Sequence, residues 1–68
     1  MTHAEAFLAE VEAFLERSKM PASEFGKAAV NDRSLVRDLR AGRMPSLRLV
    51  DRVHDFIRSQ ASEQESAA

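Results

Sequence analysis

The chain has 68 residues, of which 44% are hydrophobic and 31% charged, with two glycines, two prolines and no cysteine. This composition is typical of one small globular domain and excludes a disordered chain or a disulfide-stabilised scaffold. The net charge of -1 excludes a uniformly basic protein, although residues 26–58 carry a net charge of +4 and residues 1–25 a net charge of -3.

The first predicted helix opens with a capping box, in which Thr2 and Glu5 each satisfy a free backbone N–H of the other residue. Apolar residues then follow at helical spacing and form one stripe: Phe7, Leu8, Val11, Phe14 and Leu15. The acidic side chains lie outside this stripe, so we expect an amphipathic helix with an acidic outer face. The helix should end near Ser18, because Pro21 disfavours helical geometry at Met20.

A second helix is predicted over residues 21–30. Pro21 suits its first position, where the missing N–H costs nothing, and Phe25, Ala28 and Ala29 supply a short apolar face. Gly26 inside a helix costs about 1 kcal/mol relative to alanine. Its presence therefore indicates that another helix approaches closely at this point.

A short turn and a third helix come next. Asn31 and Asp32 interrupt the apolar pattern, and both residue types tolerate the left-handed conformation and cap a following helix. The third helix is predicted over residues 33–41, with Gly42 as its C-cap. We expect this helix to bury three apolar side chains: Leu35, Val36 and Leu39.

A fourth helix is predicted after Pro45 and Ser46. Its apolar residues cover half the circumference or more: Leu47, Leu49, Val50, Val53, Phe56 and Ile57. Because one core-facing stripe is narrower than this, and because a core this small gives marginal stability, we expect a homodimer. Its predicted interface consists of four residues of this helix: Leu49, Val53, Phe56 and Ile57.

The predicted domain spans residues 1–61. Residues 62–68 lack apolar periodicity and are predicted to form a disordered acidic tail. No run of about 18 apolar residues occurs, and the N-terminus lacks the order of a signal peptide. We therefore expect a soluble cytoplasmic protein without a membrane partner.

Two short helices joined by a tight turn, with arginines on the second, are typical of a helix that enters the DNA major groove. Residues 25–57 resemble the helix-turn-helix core of the phage-repressor and Cro-like family, also called lambda repressor-like. The matching positions are Gly26, Asn31, Val36, Leu39, Gly42, Arg43, Pro45 and Ser46. The resemblance implies an all-α, compact bundle of about four helices. It also implies a transcription regulator that often binds an inverted repeat as a dimer and often acts as a repressor.

The predicted DNA contacts follow from side-chain chemistry. The candidates for base edges lie near the start of the third helix: Arg33, Ser34 and Arg37, with Arg37 as the first choice because arginine donates bidentately to guanine. The candidates for phosphates are Lys27, Arg40, Arg43 and Ser46. Asp38 has two interpretations, a charge partner or solvated residue and a reader of cytosine through N4.

Enzymatic chemistry is not expected. His3 and His54 lie about 50 residues apart without cysteine, so no metal-ligand spacing occurs, and the chain has no glycine-rich phosphate loop. We predict no cofactor and no metal. The competing interpretation is a helical protein-interaction module that acts through a partner such as RNA polymerase or another co-regulator. Salt dependence separates the two, since only DNA binding weakens steeply with salt.

Overall fold

In the computed structural model, which describes residues 3–67 and the side chains of residues 3–61, the chain folds into helices joined by short turns. The helices are α1 (His3–Ser18), α2 (Ala22–Val30), α3 (Leu35–Arg40) and α4 (Leu47–Ala67), and the described residues contain no strand. The predicted all-α class with about four helices is confirmed. The predicted capping box depends on Thr2, which lies outside the described residues.

The apolar stripe of α1 faces the core as predicted. Its buried residues are Phe7, Val11, Phe14 and Leu15. The helix ends at Ser18, and the following Lys19 takes a left-handed conformation with φ 60°. The N–H of Lys19 donates to the carbonyl of Leu15 at 2.9 Å, which closes the last turn.

Pro21 precedes α2 in an extended conformation, so the helix starts one residue later than predicted. Phe25 and Ala29 are buried, but Ala28 is exposed, which corrects its assignment to the apolar face. Gly26 is buried where the chain passes closest to α2. A methyl group at this position would overlap the carbonyl oxygen of Asp32, so only glycine fits.

The turn between α2 and α3 uses both predicted polar residues. Asn31 adopts the left-handed conformation with φ 59°, and its N–H donates to the carbonyl of Lys27 at 3.0 Å. The Asp32 carboxylate accepts from the Ser34 N–H at 3.0 Å and from the Ser34 hydroxyl at 2.8 Å. Because Asp32 holds residues 33 and 34 in a turn, α3 begins at Leu35 rather than at residue 33.

The three apolar residues predicted to be buried by the third helix are buried in the structure: Leu35, Val36 and Leu39. The short α3 packs against α2 and α1 through this face. Its polar residues are therefore turned away from the core.

Helix α4 closes the core. The Ser46 hydroxyl accepts the Leu49 N–H at 3.1 Å and caps the start of the helix. Val53 is fully buried against the other helices. This burial corrects the assignment of Val53 to a dimer interface, because a side chain enclosed in its own core cannot contact a partner. The other three predicted interface residues, Leu49, Phe56 and Ile57, are partly buried at the edge of the core.

Helix α4 also extends further than predicted, since the backbone of residues 62–67 is helical rather than irregular. Alanine, glutamate and glutamine, which make up most of this segment, have favourable intrinsic helix propensities. Helix propensity therefore favours the continuation of α4 past Ile57. None of the described helices combines the length and apolar character that crossing a bilayer requires.

Three phenylalanine rings join α1, α2 and α4. The Phe25 ring lies 5.5 Å from both the Phe14 and the Phe56 rings, centroid to centroid, and the Phe14 and Phe56 rings are 6.2 Å apart. These distances lie within the range of favourable aromatic pairs. The cluster fixes α2 relative to its neighbours and so fixes the turn that carries α3.

Candidate nucleic-acid interface

Two exposed arginines mark the outer side of the α2–α3 unit. Arg33 lies in the turn and Arg37 lies on α3, and neither forms an ion pair with any side chain that the structure describes. Both border a shallow depression between α3 and the start of α2, which also includes Ala22, Ser23, Ser34 and Arg40. Their guanidinium groups are therefore available to an acceptor outside the protein.

Ser34, the third predicted base contact, stabilises the turn before α3. Its hydroxyl donates to Asp32 at 2.8 Å and lies 3.4 Å from Oδ2 of Asp38. Hydrogen bonds from the hydroxyl and the N–H of Ser34 lower the pKa of Asp32, and Arg43 lowers it further. Only the acceptor capacity of the Ser34 oxygen remains available to DNA.

Arg43 connects the turn with α3. Its Nη1 atom lies 3.3 Å from Oδ2 of Asp32 and 3.3 Å from Oδ2 of Asp38. Its backbone N–H donates to the Asp38 carbonyl at 2.9 Å. The predicted phosphate contact of Arg43 therefore starts from a guanidinium that already contacts two carboxylates and only partly offsets their charge.

Arg40 is bound to α1. Its Nε donates to Oε2 of Glu12 at 3.0 Å, and its Nη2 donates to Oε1 of the same carboxylate. This hydrogen bond lowers the pKa of Glu12 and raises the pKa of Arg40. Arg40 can reach a phosphate only by giving up this bidentate pair, which links α3 to α1.

The two remaining predicted phosphate contacts lie at helix ends. The Lys27 ammonium donates to the Asn31 side-chain oxygen across the end of α2. Ser46 uses its oxygen as the cap of α4 and keeps its hydroxyl proton as a donor. Lys27 borders neither of the basic depressions, so the structure does not bring it together with the other candidates.

The sequence analysis missed two basic residues on α4. Arg48 and Arg52 are exposed, lie one helical turn apart and border a second depression together with Arg43 and Ser46. Neither arginine has an ion-pair partner among the described side chains. The i, i+4 spacing of the two arginines after Ser46 was the available signal. The apolar pattern of α4 does not indicate these two arginines.

The two depressions are connected through one polar network. Arg33 and Arg37 border the first depression, and Arg48 and Arg52 border the second. The contacts among Ser34, Asp32, Asp38 and Arg43 join the two depressions. We call these two depressions and the network between them the basic face. Arginine donors in this arrangement can bind phosphates or the acceptor atoms of bases.

His54 has a local partner. Its Nε2 lies 2.8 Å from a carboxylate oxygen of Glu10, and its ring packs edge-on against Phe7 with centroids 5.6 Å apart. The His54 ring therefore has both a polar and an aromatic partner on α1.

No protein-family model, no curated protein and no solved structure matches the chain. The resemblance to the phage-repressor and Cro-like family therefore stays a prediction from the sequence.

Proposed function

We propose that this chain is a cytoplasmic, sequence-specific double-stranded DNA-binding protein that regulates transcription. In this proposal α3 is the recognition helix of a lambda repressor-like helix-turn-helix. The observation that carries the proposal is the α2–α3 unit. Its turn is closed by the left-handed Asn31 and by the contact between Gly26 and Asp32, and its outer side presents Arg33 and Arg37 without ion-pair partners among the described residues.

The shape of this unit suits a DNA groove. The B-DNA major groove is about 12 Å wide and accepts an α-helix. The six-residue α3 is held by its apolar face, so its outer side can face the groove. Arg33 and Arg37 lie one turn apart, so both can approach base edges, where arginine donates to O6 and N7 of guanine.

The second depression supplies the phosphate contacts in this proposal. Arg48 and Arg52 lie in the first two turns of α4, whose first N–H groups attract anions. Phosphate contacts at this position hold the recognition helix in register but read no sequence. The net charge of +4 in residues 26–58 also gives a positive potential, which attracts phosphates.

The proposal is tested by titrating a random-sequence 24-base-pair duplex at several salt concentrations. Two to four neutralised phosphates predict a slope of about -2 to -4 for log affinity against log salt, at -0.9 per phosphate. Arg48→Ala should reduce the magnitude of the slope by about 1, whereas Arg58→Ala should leave it unchanged because Arg58 pairs with Asp55 away from the basic face. Absence of binding at the lowest salt concentration would refute the proposal.

A second candidate function is favoured by two exposed apolar residues. Met44 is 71% exposed and Leu47 is 84% exposed, and both border a groove between α1 and the start of α4 that contains Ala4, Phe7 and Val50. Exposed apolar side chains beside a groove are typical of a surface that binds protein. In this alternative the chain is a helical interaction module or co-regulator that acts through a partner such as RNA polymerase, and its binding would change little with salt.

A further inference from the structure

Asp38 is an acidic side chain on the basic face for which the proposed function gives no role. It lies one turn after Ser34, and Oδ2 of Asp38 lies 3.4 Å from the Ser34 hydroxyl oxygen. The side chain is 37% exposed. A carboxylate beside arginines that are proposed to bind DNA is repelled by nearby phosphates, so its position there requires an explanation.

Only one of the two carboxylate oxygens of Asp38 has partners. Oδ2 faces both Ser34 and the guanidinium of Arg43, at 3.4 and 3.3 Å. Oδ1 accepts no hydrogen bond from any residue that the structure describes. The contacts of Oδ2 therefore orient the Asp38 side chain, and Oδ1 is available to accept a hydrogen bond.

Arg43 offsets the cost of bringing this carboxylate close to DNA. Its guanidinium lies between Asp32 and Asp38, and its backbone N–H is bound to the Asp38 carbonyl at 2.9 Å. The backbone contact keeps the arginine beside Asp38. Because Arg43 is shared with Asp32, it offsets part of the negative charge of Asp38 and leaves its second carboxylate oxygen as an acceptor.

From this arrangement we infer that Asp38 is a specificity-determining residue that accepts a hydrogen bond from N4 of a cytosine in the major groove. The inference depends on the proposed function. An ionised carboxylate only accepts hydrogen bonds, and the major-groove donors are N4 of cytosine and N6 of adenine. The adenine donor lies beside the N7 acceptor, which repels a carboxylate, so cytosine is the base that fits.

The first test compares the sequences selected from a random duplex pool by the parent protein, by Asp38→Asn and by Asp55→Asn. Asparagine forms a bidentate pair with N6 and N7 of adenine. Asp38→Asn should therefore change one selected position per half-site from cytosine to adenine. Asp55 is an exposed carboxylate on α4 that pairs with Arg58, so Asp55→Asn should select the parent sequence. Identical selected sequences for all three proteins would overturn the inference.

The second test changes only the DNA and does not depend on the folding of a variant. Each cytosine of the selected site is replaced in turn by a pyrimidinone that lacks the 4-amino group. At one position the parent should lose about tenfold in affinity, within the range of roughly 5- to 150-fold expected for a good base contact. At the same position Asp38→Ala should lose less than twofold. Equal losses for the two proteins at every position would overturn the inference, whereas a parent that selects no sequence would overturn the proposed function itself.

Discussion

At the scale of single residues, Gly26 shows how a sequence choice fixes the geometry of the turn. Its hydrogen occupies the only space left between α2 and the Asp32 carbonyl, and Leu35 of α3 lies against the same point. Helix propensity alone would favour alanine here by about 1 kcal/mol. The close contact opposes that preference, and it is the contact that determines which residue is tolerated.

Gly26→Ala should accordingly destabilise the fold by about 1 to 3 kcal/mol, the usual cost of overpacking. Chemical denaturation followed by circular dichroism measures this change. Ala28→Gly is the matched control on the same helix, since Ala28 is exposed. That control should lose about 1 kcal/mol through propensity alone. A Gly26→Ala variant that is more stable than the parent would show that the turn does not approach α2 as described.

Substitutions of Arg37 and Arg52 should separate base contacts from phosphate contacts. Arg37→Ala should lower affinity for the selected site by about 1 to 3 kcal/mol while changing affinity for scrambled DNA much less. Arg52→Ala should weaken both duplexes by the same factor, because a phosphate contact reads no sequence. Fluorescence anisotropy with the two duplexes measures both effects. Equal losses on both duplexes for Arg37→Ala would remove it from the base readers.

At the scale of helices, the sequence predicts well wherever local chemistry decides the outcome. The end of α1 follows from Pro21, and the left-handed turn residue Asn31 follows from its short polar side chain. The late start of α3 was not predicted, because Asp32 caps a turn at Ser34 instead of capping the helix directly. The link between Glu12 and Arg40 was also missed, since residues 28 positions apart leave no local pattern.

This link between α1 and α3 makes stability depend on pH. The pKa of Glu12 in the folded chain lies below its ordinary value of 4.5 because Arg40 binds the ionised form. Its contribution is therefore complete above the unfolded pKa and is lost as the pH falls through the folded pKa. Glu12→Gln should flatten the acid side of the stability profile below about pH 5. The effect should be small because the pair is exposed.

Thermal unfolding between pH 3 and 7 measures this dependence, with Glu16→Gln as the control. Glu16 is an exposed carboxylate of α1 that forms no ion pair with the described side chains. The control should keep the parent profile. If Glu12→Gln also keeps the parent profile, the ion pair with Arg40 does not stabilise the fold in solution.

At the level of the whole molecule, the separation of charge makes the proposed DNA binding compatible with a net charge of -1. Four of the acidic side chains lie on α1. The basic face includes arginines that have no ion-pair partner among the described residues. They lie on α4, on α3 and in the turn before α3. Local potential rather than total charge controls such binding. The sequence predicted this separation but not the two depressions, because their arginines come from different elements.

We also propose that the chain forms a homodimer through α4. A dimer would place two recognition helices about 34 Å apart, one turn of DNA. We expect sedimentation at micromolar concentration to show a dimer, and we expect Ile57→Gln to dissociate it because Ile57 lies partly exposed at the edge of the core. Leu47→Gln is the control at the separate groove near α1. A monomer both with and without DNA would exclude the dimer.

The proposed reading of DNA sequence by α3 can be tested by selecting bound duplexes from a random pool at physiological salt. We predict an enriched motif that contains guanine contacts for Arg33 or Arg37, and inverted half-sites if the protein binds as a dimer. A pool that shows no enrichment after repeated rounds, with weak and salt-sensitive binding only, would contradict the claim and favour the protein-interaction alternative.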